Sequence, residues 1–312
     1  MSDDSKILYA AWNYYHNNLT QSQIAKRMHV SRATVGRLLE KARRDGIVQI
    51  KITKPLPKYL LLEEQFLSRF NFSEVVIVEP SINHQNTCES VAQAAAELLS
   101  SLLFPGCKLG LARSRTASNM ANYLEISDNF HDLYIHELVG TFLDSRTEFA
   151  ISWRVADKLG AQLDRLPVPG VVKNSSAREA ILKEDSIRNA LSNARNVDIA
   201  FVGLGSADQD SSLIKTNYMS IPQMSEMSRK GAVGEVLMRF YDLDGNHVSM
   251  PELEERIIGL NWTEIRQVDR VIALATGANK VKPIIGAINS GIIEGLVTDI
   301  ETAETVLAYY EA

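Results

Sequence analysis

Leu19 to Gly46, LTQSQIAKRMHVSRATVGRLLEKARRDG, is the stretch that most narrows what this chain can become. Gln21 to Met28 puts Ile24, Ala25 and Met28 on one face of a helix. Ser31 is a strong N-cap residue, so a second helix is expected from Arg32 to about Asp45. Val35, Leu38, Leu39 and Ala42 give that helix an apolar face, and Arg32, Thr34, Arg37, Lys41 and Arg44 stand on its other side. Only the short His29-Val30 turn separates the two helices, and the small Ala25 suits helices that cross closely at a wide angle. Together these features describe a helix-turn-helix, whose second helix enters the major groove of DNA.

Two residues depart from the usual pattern. Many such turns place Gly at the position of His29, because the backbone there tends to positive φ. Gly36 lies inside a helix, where Gly costs about 1 kcal/mol relative to Ala. It is either a close approach to the duplex or a tolerated small residue.

Charge divides the chain in the same place. Residues 1–54 hold ten Lys or Arg against four Asp or Glu, a net +6. The whole chain, with 33 against 38, carries −5, so residues 55–312 carry −11. A basic head on an acidic body is the electrostatic footprint of a nucleic-acid-binding module. Ser31, Arg32, Thr34 and Arg37 are expected at base edges, and Lys41 and Arg44 at phosphates. Gln21 and Ala33 complete the DNA-facing set.

No apolar run approaches the 18 or so residues that span a bilayer, and MSDDSKILYAAW is acidic before it is apolar, unlike a secretory signal. Cys88 and Cys107 form no CxxC pair. The expectation is a cytoplasmic protein with no metal and no cofactor.

Before the helix-turn-helix, Ser5 to Asn17 reads as a helix with Ile7, Leu8, Ala11, Trp12 and Tyr15 on one stripe. After it, Ile47–Ile52 alternates as a short strand, and Pro55 and Pro57 mark a linker. Tyr59–Phe70 is an amphipathic helix that bridges domains or pairs with its copy. From Ser73 onward strands and helices alternate. Strands are expected at 75–78, 108–112, 133–139, 165–168, 198–202, 239–241, 248–250, 270–275 and 296–297, with helices between many of them, including Ala177–Ala194 and a stretch over 223–237 around a Gly-Ala-Val-Gly break. Asp244-Gly245 marks a hairpin. Repeated βα units imply a mostly parallel sheet covered by helices.

Ligands of open α/β sheets bind at the carboxyl ends of the strands. Four strands here lead into informative loops: Arg113-Ser114-Arg115-Thr116, Gly140-Thr141, Gly203-Leu204-Gly205-Ser206, and Thr276-Gly277-Ala278-Asn279-Lys280. Hydroxyls, backbone N–H groups and cations at helix starts suit a phosphate or a sugar phosphate. GLGS lacks the third Gly of a dinucleotide fingerprint. His131 and His136-Glu137 lack metal-ligand spacing. Asp242-x-Asp244-Gly245 lacks the closing acid of a calcium loop. There is no Gly-x-Ser-x-Gly elbow.

With these residues in view, the chain resembles the SorC family of bacterial transcriptional regulators over nearly its whole length. The matching stretches are LTQSQIAKRMHVSRATVGRLLEKARRDGIVQIKI, SAREAILKEDSIRNAL, VDIAFVGLGS, KGAVGEVLMRFYDLDGNHV and TGANKVKPIIGAINSGIIEGLVTDIETAETVL. The resemblance implies a small all-helical helix-turn-helix domain over residues 1–54. Residues 55–312 would then form a large Rossmann-like α/β domain resembling sugar-phosphate isomerases and glucosamine-phosphate deaminases. It implies operator DNA and a sugar or phosphorylated sugar as partners, and a homodimer or homotetramer. It also places Ser114, Arg115, Thr116, Asp242, Lys280 and the Gly203-Gly205-Ser206 loop in the effector pocket, with Gly140 and Thr141 beside them. Two pocket loops differ from many relatives, which read Trp-Gly-Arg-Thr at 113–116 and Gly-Gly at 140–141. Two other functions stand beside an effector-gated regulator: a sugar-phosphate isomerase or deaminase carrying a DNA-binding head, and a DNA-binding protein whose large domain only assembles the oligomer. The expected acid/base set of the enzyme has no motif-matched residues here.

Overall fold

The computed structural model describes residues 2–81, 83–112, 114–125, 132–141 and 151–312. Arg113, His131 and the side chain of Arg115 lie outside the described residues. The chain divides into two compact units, Met1–Leu56 and Pro57–Ala312.

The first unit is helical. α1 (Asp3–Ala11) runs into a π-helical turn, Trp12–His16, and is followed by α2 (Gln21–Met28) and α3 (Arg32–Arg44). Thr20 and Gln23 form a reciprocal capping box at the start of α2, satisfying backbone N–H groups that the helix leaves open. The Ser31 hydroxyl accepts from the Thr34 N–H at 3.1 Å and caps α3. His29 takes φ 53°, the left-handed conformation expected of that turn. Ile7, Ala10, Ala11, Ile24, Ala25, Val35, Leu39 and Ala42 form the core.

Two expectations for this unit are corrected. Of the α1 stripe, Ile7 and Ala11 are buried, but Leu8 and Trp12 are 55% and 58% exposed. The α-helix gives way at Trp12, which stacks on His16 instead of entering the core. The Ile47–Ile52 strand does not form, and Ile47, Ile50 and Ile52 are exposed. Alternation makes a strand only where a neighbouring strand takes up its backbone groups, and this segment pairs with none among the described residues.

The second unit opens with α4 (Lys58–Phe70), which buries Leu62 and Phe66 and leaves Leu60, Leu61 and Leu67 exposed. Then come β1 (Glu74–Val78), α5 (His84–Leu102), β2 (Lys108–Leu111), α6 (Arg115–Met120), β3 (Tyr134–Glu137), α7 (Ile151–Leu159) and β4 (Gln162–Asp164). α8 (Ser175–Ile181), α9 (Asp185–Arg195), β5 (Ile199–Gly203), β6 (Gly205–Ser206), α10 (Ser212–Lys215), α11 (Ile221–Arg229), β7 (Ala232–Val236), β8 (Arg239–Asp242) and β9 (His247–Val248) follow. α12 (Pro251–Glu254), α13 (Trp262–Ile265), β10 (Val271–Leu274), α14 (Val281–Ser290), β11 (Gly295–Asp299) and α15 (Ile300–Glu311) complete it.

The main sheet is parallel throughout, in the order β1-β11-β10-β5-β2-β3-β4. Alternate residues feed cores on its two faces. Leu109, Leu111, Ile199, Phe201, Ile272 and Leu274 enter one, and Ala200, Val202, Val271, Ala273 and Leu296 the other. Such strands, apolar on both faces, are the mark of a sheet covered by helices on both sides.

Three further expectations move. The strand expected at 165–168 lies at Gln162–Asp164. Ala177–Ala194 is two helices, broken at 182–184. The stretch 223–237 is helical only to Arg229. Gly231 then turns the chain at φ 95°, and Ala232–Val236 becomes β7 of a second, antiparallel sheet, β6-β7-β8-β9. The Asp244-Gly245 hairpin is present between β8 and β9, with Gly245 at φ 85°. A Cβ there would lie 2.2 Å from the backbone nitrogen of Ser290, so Gly also permits the hairpin to rest on α14. Among the described residues, no helix is long and apolar enough to cross a membrane.

Candidate functional site

The large unit holds a cleft of about 1140 Å³ at the carboxyl edge of the main sheet. Its floor is built where β10 and β11 end. Asp299 closes β11 and caps α15, its carboxylate accepting from the Thr302 N–H at 2.9 Å. The same carboxylate accepts from the hydroxyls of Thr276 and Thr302 and from the Gly277 N–H. Gly277 also donates to the Thr302 hydroxyl at 2.9 Å. Burial pushes the Asp299 carboxyl up, but these hydrogen bonds outweigh it and hold the group below its ordinary value. Gly277, at φ 104°, turns the chain into the short 3-10 turn Ala278–Lys280 that leads to α14.

One wall comes from the β1–α5 connection, with Ser81, Asn83 and Thr87. The Thr87 hydroxyl accepts from the Ser81 N–H at 3.1 Å, and Asn83 caps α5. The opposite wall carries Ser206, Ala207, Asp208, Ser228 and Gly231–Val233 from the second sheet and its flanks. The Ser206 hydroxyl donates to Asp208 at 3.0 Å, and the Ser228 hydroxyl to the Ala207 carbonyl at 2.6 Å. Asn279, Lys282, Glu301 and Thr305 stand at the rim. Hydroxyls, amides and backbone groups around a concave site suit the hydrogen-bonding surface of a polyhydroxylated ligand.

Of the ten residues expected in an effector pocket, Ser206 lines this cleft among the described residues. Lys280 lies between two lining residues, Asn279 and Val281, at the end of the 3-10 turn. Ser114 caps α6 and presses on Gly203, whose Cβ, if present, would lie 2.5 Å from the Ser114 hydroxyl. The loops after β2 and β5 therefore meet, at the point where the strand order reverses. Thr116 is in α6, and Gly205 starts β6 against Glu235. Gly140 and Thr141 are paired elsewhere: Gly140 donates to Ile258, and Thr141 exchanges hydrogen bonds with Val168 and Gly170. The Asp242 carboxylate is engaged by its own hairpin, accepting from the Asn246 N–H at 2.8 Å and from the Asn246 amide at 3.1 Å. Sequence reading missed Asp299, Thr302, Ser81 and Thr87. Asp299 with Thr302 three residues on is a legible N-cap signal, but only the sheet order brings it beside Thr276.

His136 is buried in β3, its Nδ1 3.2 Å from Asp164, and burial lowers its pKa more than Asp164 raises it. It packs within the sheet away from the cleft lining.

In the helical unit, Arg32, Ala33 and Arg37 are exposed on α3, with Thr34 half-buried and hydrogen-bonded to Ser31. Gln21 is the first residue of α2. Lys41 and Arg44 are both drawn to Asp45, at 2.8 and 3.7 Å. Arg32, Arg37 and Arg43 have no ion pair among the described residues. Gly36 has one neighbour within 4 Å of where its Cβ would be, Gln21 Oε1 at 3.8 Å, so packing inside this unit does not require Gly there.

Comparison with known proteins places this geometry in a family. Residues 54–308 match the family model described as "Putative sugar-binding domain". The transcriptional regulator LsrR of Enterobacter sp. (strain 638) is 28% identical over 99% of this chain and 94% of its own length. The sorbitol operon regulator of Klebsiella pneumoniae is 28% identical over 98% of this chain and 99% of its own. The crystal structure of the full-length sorbitol operon regulator SorC from Klebsiella pneumoniae superposes with a TM-score of 0.75 at 27% identity, covering 98% of this chain and 99% of that one. Matched by that domain over most of its length, and by these regulators through its helical unit as well, the chain belongs to the SorC family of bacterial transcriptional regulators.

Proposed function

We propose that this protein is an effector-gated, DNA-binding regulator of a carbohydrate-utilisation operon, acting in the cytoplasm. One observation carries the reading. A basic three-helix unit that exposes Arg32, Ala33 and Arg37 on α3 shares a chain with a hydroxyl-lined cleft in a domain matched as sugar-binding. Gln21, Ser31, Arg32, Ala33, Thr34, Arg37, Lys41 and Arg44 face operator DNA. A sugar or sugar phosphate occupies the carboxyl edge of the sheet, with Ser206 and Lys280 on one side. Ser114 and Gly203 shape the neighbouring loops, with Arg115 and Thr116 following in α6 and Gly205 in β6, while Gly140, Thr141 and Asp242 keep partners outside the cleft lining. The working form is a homodimer or homotetramer, for which the exposed Leu60, Leu61 and Leu67 of α4 offer an apolar contact face.

The enzyme reading is the weaker one. A general base needs a free lone pair and a pKa near the working pH. Hydrogen bonds from Thr276, Gly277 and Thr302 hold the buried Asp299 carboxyl below its ordinary pKa, which makes it a poor general base. Thermal unfolding of the protein in the presence of a panel of sugars and sugar phosphates tests the proposal. A ligand of the native state at a hundred times its Kd stabilises by about 2.7 kcal/mol. The expected result is a raised Tm with a ligand that is recovered chemically unchanged. Conversion of that ligand during the incubation would restore the enzyme reading.

A further inference from the structure

The helical unit carries a second depression, of about 350 Å³, between the π turn and α3. Tyr14 and Tyr15 of the π turn, Gln21 of α2, and Ala33, Gly36, Arg37, Leu39, Glu40 and Arg43 of α3 line it. The two phenol rings meet edge to face, with centroids 5.0 Å apart. Neither hydroxyl has a hydrogen-bond partner among the described residues. The π turn matters to this arrangement, because it is the segment that carries both tyrosines past the end of α1.

We propose that this depression seats the sugar–phosphate backbone of one DNA strand, with Tyr14, Tyr15 and Arg43 as DNA-positioning residues and Gly36 as the point of close approach. The inference rests on the DNA-binding reading and extends it to residues outside the helix-turn-helix. Four observations converge. The depression opens beside Gln21, the first residue of α2, and the first helix of such a motif crosses the backbone while the second enters the groove. Its lining is rich in donors: two phenols, one amide and two guanidinium groups against one carboxylate, Glu40. Arg43 has no ion pair among the described residues, whereas Lys41 and Arg44 are drawn to Asp45. Finally, Ala33 and Gly36 leave room in its lining, and nothing within the unit requires a glycine at position 36. A helix interior that accepts Gly without a packing reason, in the middle of a donor-lined depression, is shaped for an occupant from outside the chain.

The test uses the full chain and two duplexes of equal length: one selected by the parent protein from a random-sequence pool, and one unselected. Gly36→Ala removes the close approach while favouring the helix, so its Tm is expected to hold or rise. Its affinity is expected to fall roughly ten-fold or more on both duplexes, as for a lost phosphate contact. The double variant Tyr14→Phe, Tyr15→Phe keeps the rings and is expected to bind both duplexes about ten-fold more weakly, as for lost hydrogen bonds to a charged group. Arg43→Ala is expected to lower the slope of log affinity against log salt by about 1. Glu40→Gln is expected to tighten binding to both. If Gly36→Ala and the double Phe variant bind both duplexes like the parent while Arg32→Ala loses the selected one, this inference falls and the DNA-binding reading stands. If Gly36→Ala weakens only the selected duplex, Gly36 faces base edges and the backbone assignment is overturned. If the parent binds no duplex, both fall.

Discussion

Asp299 shows how one side chain ties sequence to site. It ends a buried strand, caps the helix that follows, and holds the preceding strand's loop through Thr276 and Gly277. At 3% exposure it would be costly to ionise, yet its hydrogen bonds keep its folded pKa below the ordinary 3.8. The sign follows from linkage. A carboxyl with a depressed folded pKa contributes stability that is complete above its unfolded pKa and lost as pH falls through the folded value. Asp299→Asn is therefore expected to cost about 2 kcal/mol near neutral pH, the scale of a hydrogen-bonded charged group. Its stability should also fall off less steeply than the parent's below pH 3.8. Urea unfolding across that range measures both, and parallel pH profiles in parent and variant would deny Asp299 this role. His29 is the matching residue in the helical unit. Its φ of 53° was readable in advance, because a two-helix turn this short demands a left-handed residue and His is a tolerable one.

Among the elements, α3 concentrates the functional expectation, and the ion pairs divide its cations into two groups. Arg32 and Arg37 are exposed and have no ion pair among the described residues, while Lys41 and Arg44 share Asp45. Arg32→Ala and Arg37→Ala are expected to lose roughly 1–3 kcal/mol of discrimination between a selected and an unselected duplex. Lys41→Ala and Arg44→Ala should weaken both duplexes alike, and modestly, because Asp45 already partners them. Competition binding with the two duplexes separates these outcomes, and unchanged discrimination in both Arg variants would remove α3 from the groove. The helix-turn-helix was legible because capping and helical spacing are local. So was the hairpin at Asp244-Gly245, where turn chemistry alone sets the fold. The parallel strands were legible as short, mostly apolar runs alternating with helices, to within a few residues. What failed depended on partners distant in sequence. Ile47–Ile52 alternates but pairs with no strand, and β7 is a strand because β6 and β8 flank it. Leu8 and Trp12 read as core but stand exposed, Trp12 at the point where the α-helix yields to the π turn. The cleft was legible only as an edge. GLGS pointed to Ser206, but the neighbourhood of Ser81, Thr276 and Asp299 exists only once β1, β11 and β10 lie side by side.

At the scale of the whole molecule, a head of charge +6 and a body of −11 divide the labour. The body's net charge disfavours polyanionic DNA, and in the proposed reading the head binds DNA while the cleft regulates it. A ligand in that cleft changes DNA affinity only if it binds two arrangements of the protein unequally, and the resulting coupling is typically 1–3 kcal/mol, about 5- to 150-fold in affinity. Reciprocity makes the same coupling appear as a DNA-dependent affinity for the sugar. The most direct measurement is the affinity for the selected duplex with and without a saturating sugar or sugar phosphate that raises the Tm, in the parent and in Lys280→Ala. The account predicts an affinity shift of at least about 5-fold in the parent. It also predicts that Lys280→Ala binds the ligand-free duplex like the parent and does not respond to the ligand. A parent whose duplex affinity is the same with and without the bound sugar would contradict it.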